Sequence, residues 1–213
     1  PIAWGDFNID DGLFYEPRVW MSDDGGVTWD DITATVMDAA NLPGPFVQFA
    51  YGGVSIAPDD EDWLALGGHD INMTDPTRLM IVASKDGGDN FSYAGDLEDT
   101  TNGTMLDGIR DLAVSIEVDG IHNIAAAGLN DAYDGTVYRL KAGTWLSGAW
   151  EDTSFYAGWE NGVVNPPIWT VIAVAFSPNF DIDDTILCLG WDDVSIHFPY
   201  LQSGVWEGSS GAW

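Results

Sequence analysis

Carboxylates are the side chains through which this 213-residue sequence could do most chemistry. Asp and Glu number 35 against 6 Lys and Arg, a formal net charge of −29. Of those acids 28 are Asp and 7 are Glu. Asp favours turns and oxygen-rich cation sites, whereas Glu favours helices. Three short segments set out oxygen ligands at the spacing of a cation loop. The first offers Asp6, Asn8, Asp10 and Asp11 before Gly12, the second Asn130, Asp131 and Asp134 before Gly135, and the third Asn179, Asp181 and Asp183. Alternating oxygens closed by a Gly turn suit Ca²⁺, although in the first loop the Gly falls one place late for the twelve-residue calcium loop and no bidentate Glu follows. An acid also follows each Gly that ends a second strand: Asp6, Asp70, Asp131 and Asp192. So many carboxylates on one face repel each other unless cations screen or bridge them. We therefore expect calcium in at least one loop, foremost 6–11. Solvated turns, or adaptation to high salt in a chain whose only lysines are Lys85 and Lys141, are the competing readings.

The other reactive side chains are sparse. His69, His122 and His197 occupy different positions in the chain's repeat and make a poor metal cluster. Cys188 lies in the apolar run 186–189 and reads as a small buried residue, with no second Cys for a disulfide. No Gly-x-Ser-x-Gly, P-loop, dinucleotide or His-Glu-x-x-His pattern occurs. The negative field repels nucleic acid and anionic lipid, and no apolar run reaches the roughly 20 residues that span a bilayer. We expect neither a nucleic-acid partner nor membrane insertion in this segment.

The elements that must position these residues recur with a period near sixty. The octet 22–29, Ser-Asp-Asp-Gly-Gly-Val-Thr-Trp, returns at 84–91 as Ser-Lys-Asp-Gly-Gly-Asp-Asn-Phe (22 to 84, an offset of 62). Worn copies begin at Leu140 and Leu201. The segments at 55–58, 114–117 and 175–178 keep the same beat, as do the runs ending Gly68, Gly128 and Gly190. Each period reads as four short strands bounded by turn residues. The clearest has strands at 169–177, 185–191 and 197–202, and a fourth opening near Trp213. Such repeats predict an all-β chain, a β-propeller of about four consecutive four-stranded blades, at about 1–45 (partial), 46–105, 106–165 and 166–213 (partial). The phase of the repeat, which enters at a second strand, further predicts a piece of a larger ring with both ends open.

Within the octet each residue has a structural task. Gly supplies positive φ, Ser and Asp tie down turn amides, and the aromatic fills the space between strands. Ser22, Asp24, Gly26, Thr28 and Trp29, with Ser84, Asp86, Gly88 and Phe91, are read as fold residues of a hairpin between third and fourth strands. Trp29 is expected to be well buried. The octet resembles the Asp-box, or BNR repeat, of the propeller superfamily that includes sialidases, sortilin-type receptors, xyloglucanases and photosystem II assembly factors. The phrase Ala175-Phe176-Ser177-Pro178-Asn179-Phe180 resembles repeats of large bacterial and archaeal surface proteins.

That resemblance implies a fold more sharply than a function. The sialidase branch requires a convergent arginine triad. Arg18, Arg78 and Arg139 stand at equivalent repeat positions, which argues for blade-edge residues, and the Arg-Ile-Pro signature is missing. Enzyme activity is left open, with the balance against it. The expected function is a non-catalytic secreted or cell-surface propeller that binds protein or carbohydrate and takes part in envelope assembly, self-assembly included. The alternative is a glycoside hydrolase, sialidase-like or of another Asp-box type. An intracellular assembly factor would carry a basic or mixed surface. Connections at 35–49, 96–108 and 156–168 are long enough to present a contact surface. Trp159 and Trp169 are the aromatic residues best placed for display, and Asn72 and Asn102 lie in glycosylation sequons, Asn90 being a poorer acceptor inside its octet.

Overall fold

The computed structural model describes residues 2–4, 18–39, 49–50, 53–70, 79–131, 134–141, 150–159, 168–192, 199–207 and 210–213. Among the described residues it is an all-β fold of four antiparallel sheets, with two short α-helices and one 3-10 turn at Thr153–Phe155. Sheet one holds β1 (Ile2–Trp4), β2 (Val19–Met21) and β3 (Asp30–Asp31), after which the helix α1 (Thr33–Ala39) packs Val36 into the core. Sheet two holds β4 (Phe49–Ala50) and β5 (Val54–Ile56), both against β6 (Leu64–Asp70), then β7 (Leu79–Ser84) and β8 (Ser92–Asp96). Sheet three runs β9 (Glu98–Asp99), β10 (Thr104–Val114), β11 (Asn123–Asn130), β12 (Gly135–Lys141), β13 (Glu151–Asp152). Its edges β9 and β13 contact one another, so this sheet nearly closes on itself. Sheet four runs β14 (Ile168–Phe176), β15 (Thr185–Asp192), β16 (Pro199–Glu207), β17 (Ser210–Ala212), with α2 (Phe180–Asp183) between β14 and β15.

Each sheet buries one face against the next, because strands alternate their side chains and both faces here are apolar. Val19 and Val36 meet Leu64, Leu66, Met80, Val82 and Phe91 between sheets one and two. Ala65, Ile81 and Ala83 meet Leu112, Ile124, Ala126 and Tyr138 between sheets two and three. Ala113, Ala125, Ala127 and Val137 meet Val171, Val174, Ile186 and Cys188 between sheets three and four. All six residues of β7 and all eight of β11 are buried, which is why those strands read as continuous apolar or small-residue runs. Gly53 allows the close approach of β10: a Cβ there would lie 2.5 Å from that of Leu112.

The sixty-residue period is visible in three dimensions. The β10–β11 ladder shifts register between Leu106 and Gly108 and again between Ile109 and Asp111. The β14–β15 ladder does so at Ile168/Thr170 and Val171/Ala173, an offset of 62 in both (106 to 168, 109 to 171). Ser115 donates its N–H to Asn123 O and Ser177 donates to Thr185 O, again at an offset of 62 (115 to 177), while Val114 N–H to Ser55 Oγ and Val174 N–H to Asp111 Oδ2 tie sheet three to sheet two and sheet four to sheet three.

Several expectations need correction. The worn octet at Leu201 is not a hairpin, because 201–206 lies inside β16, and the fourth strand ends before Trp213. Lacking the Ser and Asp that bend the chain, this segment continues its ladder with β15. The connection 96–108 is not a displayed loop, since β9 and the start of β10 pair through it. The segment 35–49 begins as α1, and the segment 156–168 packs Tyr156 and Trp159 against the core. No helix among the described residues is long and apolar enough to cross a membrane.

Candidate functional site

The two octets make the same side-chain-tied turn. Ser22 Oγ donates to Asp24 Oδ1 at 2.9 Å and accepts the Gly26 N–H at 2.7 Å. Asp24 then accepts the amides of Val27 and Thr28 and the Thr28 hydroxyl, at 2.8 to 3.0 Å. In the second turn Ser84 and Asp86 repeat the arrangement, and Asn90 replaces Thr28 by giving Asp86 both its backbone and its side-chain amide. Gly25, Gly26, Gly87 and Gly88 all take positive φ, which explains the paired glycines. The amide of Thr28, then its hydroxyl, hold the Asp24 carboxyl down to about 2. The side-chain amide of Asn90 and then its backbone N–H lower Asp86 likewise. A carboxylate so fully engaged by its own turn has no proton to exchange near neutrality and is unsuited to acid–base catalysis.

The aromatic position behaves differently in different sheets. Phe91 is buried between sheets one and two, whereas Trp29 is 39% exposed, contrary to expectation. The reason lies in the stacking. Trp150 donates its indole N–H back to Ala94 O of sheet two, and Trp213 donates back to Thr153 O just beyond β13. The aromatic is therefore covered by the preceding sheet. Trp29 has no preceding sheet among the described residues, and its indole instead lies over its own turn and donates to Gly26 O at 3.2 Å.

A second polar cluster, not anticipated from sequence, closes sheet three. Asp152 is fully buried, and its carboxylate accepts from the hydroxyls of Thr136, Thr104 and Ser154 and from the Ser154 N–H. Its own N–H donates to Asp99 Oδ2 at 3.0 Å, joining β13 to β9. Asp99 also accepts the amides of Thr101 and Asn102 and the Asn102 side chain. Tyr138 donates to Thr104 Oγ1 at 2.9 Å. Burial pushes the Asp99 carboxyl up, but the Asp152 amide and the Asn102 and Thr101 donors outweigh it and leave Asp99 below its ordinary value. Burial raises the Tyr138 phenol strongly, with the Asp152 and Asp99 charges adding to it. Both carboxylates are buried and bonded within the protein, although their donors Thr101 and Asn102 are exposed, so Asp99 and Asp152 act as a seam. Their signal in the sequence was the local capping pattern Asp152-Thr153-Ser154 and Asp99-Thr100-Thr101-Asn102, each an Asp that bonds amides two or three residues on.

The loops singled out for cations lie elsewhere. Asp6, Asn8, Asp10 and Asp11 lie outside the described residues, as do Asn72, Arg78 and His197. Asn130 is buried and caps its hairpin by accepting the Asp134 N–H, while Asp131 accepts the Met105 N–H at 3.4 Å. Asp183 accepts the Ser177 hydroxyl and the Thr185 amide, which lower its carboxyl in that order. Asn179 precedes α2, and Asp181 is exposed on it. Among the described residues no three His, Cys, Asp or Glu side chains gather to hold a metal.

Among the described residues the arginines do not converge either. Arg18 is exposed and pairs with Asp31 at 2.8 Å in sheet one. Arg139 is buried in sheet three, where it donates to Asn123 Oδ1, and burial lowers its guanidinium against the opposing pull of Glu151. His122 stacks on Trp63 with ring centroids 4.7 Å apart and meets Asp59 at 3.4 Å, a contact that ties sheet three to sheet two. Trp159 packs edge-on against Trp213, while Trp169 is 40% exposed. The Asn102 amide faces Asp99, so a glycan there would compete with that bond. The chain matches no family model and no curated protein.

Proposed function

We propose that this chain is a run of Asp-box propeller blades, secreted or displayed at the cell surface, that serves binding and assembly and carries no catalytic centre. The observation that carries the reading is the recurrence of one structural unit. Sheets two, three and four each contain an antiparallel meander, and the indoles of Trp150 and Trp213 bond back in the same way, to Ala94 O and Thr153 O, three residues past the equivalent aromatic position of the unit before. Repeated units of this kind, the first two of them with Ser-Asp turns, fit consecutive blades. The catalytic alternative needs arginines or carboxylates that meet at an open surface. Arg18 and Arg139 sit in different sheets with different partners, and Asp99 and Asp152 are sealed. The ligand is protein or carbohydrate, met by the exposed loops and by aromatic residues such as Trp169. Calcium belongs to the same reading at the 6–11 loop, and calorimetry after chelation tests it: absence of both heat and a melting shift removes it.

The decisive experiment pairs a glycan array with a panel of fluorogenic glycosides, sialosides included, using the full chain. Retention of glycans without release of fluorophore agrees with the proposal. Turnover that survives purification and disappears on substituting a surface carboxylate would replace it with the glycosidase reading. Retention of no glycan would confine the ligand to protein.

A further inference from the structure

We infer that the paired bulges of β10 and β14 form a binding site for a neutral carbohydrate, built from Asp107, Arg110 and Trp169. The buried residues of these strands recur at every third position, Leu106, Ile109 and Leu112 in β10 and Ile168, Val171 and Val174 in β14. A regular strand turns every second side chain to one face, so a spacing of three needs an extra residue in each step. The extra residues are Asp107 and Arg110 in β10, and Trp169 and Ile172 in β14, where the ladders shift register. A bulge re-aims the side chain that it inserts. Asp107 and Arg110 are exposed and Trp169 is 40% exposed, while Leu106, Ile109 and Ile168 just before them are buried. This exposure belongs to the position. Sheet three packs against sheet two on one face and sheet four on the other, yet Asp107 and Arg110 still meet solvent.

The two strands bring the three side chains to one place. β10 and β14 lie side by side, and Asp111 Oδ2 accepts the Val174 N–H at 2.9 Å. Each strand carries the same two bulges before that contact, so Asp107 and Trp169 stand nearly level. Arg110 lies three residues further along β10, about 10 Å at 3.3 Å per residue, and stacked sheets are about 10 Å apart. That area is the span of a short oligosaccharide. The chemistry of the three groups is unspent. Arg110 is one of four arginines in a chain with 35 acids. Among the described residues its guanidinium, the Asp107 carboxylate and the Trp169 indole make no hydrogen bond or ion pair. A carboxylate that accepts, a guanidinium that donates and a flat indole face can grip a sugar ring through its hydroxyls and its C–H face. Other occupants are disfavoured. β9 covers the edge of β10 only at Thr104 and Met105, but the two bulges beyond break the ladder that an added peptide strand would need. A net charge of −29 repels nucleic acid and acidic sugars, whereas Asp107 and Arg110 together are neutral.

The inference rests on the proposed reading of a binding protein and names the ligand class and the site. A glycan array of neutral and acidic oligosaccharides, then calorimetric titration of the best-retained neutral one into the full chain, tests it. Neutral glycans should be retained in preference to acidic ones. Trp169→Ala, Arg110→Ala and Asp107→Ala should each weaken the titrated oligosaccharide about tenfold or more, and Trp169→Phe should recover part of the loss. If Trp169→Ala does not fold, the exposed Arg110→Ala and Asp107→Ala carry the test. Ile182→Ser, at an 80% exposed site on α2 beyond the far end of β14, should bind as the parent does. Retention of no neutral glycan overturns the inference, while the wider reading keeps a protein ligand. Binding unchanged in Trp169→Ala, or in both Arg110→Ala and Asp107→Ala, also overturns it and places the sugar elsewhere on a protein that still binds. Turnover of glycosides overturns the wider reading alone, since the same variants still decide where the sugar sits.

Discussion

Trp29 and Trp150 head the outermost strands of sheets one and three, yet their truncation should differ about twofold in effect. Trp150 is 4% exposed, packed among residues of sheets two and three, and bonded through its indole to Ala94 O. Trp150→Ala should destabilise by about 3–5 kcal/mol, the range for large aromatic truncations in a core, with about 1 kcal/mol of that from the abandoned carbonyl. Trp29 is 39% exposed and contacts chiefly its own turn. A fully buried Trp removes about 150–250 Å² from water, so partial burial at about 25 cal/mol per Å² gives roughly 2 kcal/mol after discounting the compact unfolded state. Water fills the vacated space, so no cavity term adds to it. Urea unfolding followed by far-ultraviolet circular dichroism measures both, with equal slopes required before the midpoints are compared. Equal losses for Trp29→Ala and Trp150→Ala would refute the argument that the preceding sheet is what buries this position.

Other outcomes follow from the same contacts. Asp152→Ala leaves Thr136, Thr104 and two Ser154 donors without their acceptor, and should lower stability by about 3 kcal/mol or more in urea unfolding; a loss below about 1 kcal/mol would show that the seam is dispensable. Asp24, Asp86, Asp99 and Asp183 all have carboxyls held below their ordinary value, so the folded state binds their protons less readily than the unfolded chain does. Their contribution is present above the ordinary 3.8 and is lost as pH falls, for Asp24 down to about 2. Melting temperature should therefore drop steeply across that window, and Asp24→Asn should flatten the drop while lowering stability at neutral pH. With a net charge of −29, melting temperature should rise as sodium chloride is raised toward about 1 M; a flat salt response would show that the carboxylates are too dispersed to repel.

The sequence alone was enough for the all-β class, the sixty-residue period and the chemistry of the first two turns. Those properties are local: paired glycines with positive φ, an Asp three or four residues before the amides it accepts, and strands bounded by turn residues all act within a few positions. A strand buried on both faces must be apolar or small throughout, as β7 and β11 are, yet composition alone did not set those two strands apart as core. The burial of an aromatic was beyond it, since Trp29 and Phe91 occupy one motif position, and among the described residues a preceding sheet lies over Phe91 and none over Trp29. The Asp99–Asp152 seam was equally hidden. Those residues are 53 apart in the chain, and only the near-closure of sheet three brings a carboxylate and an amide within 3.0 Å. The worn motif at Leu201 shows the limit from the other side: its aromatic and Gly persist, but the ladder with β15 carries the segment through as strand. Short-range hydrogen bonds are written into neighbouring residues, whereas burial and long-range bonding depend on which sheet comes to rest on which, and the chain decides that only when it folds.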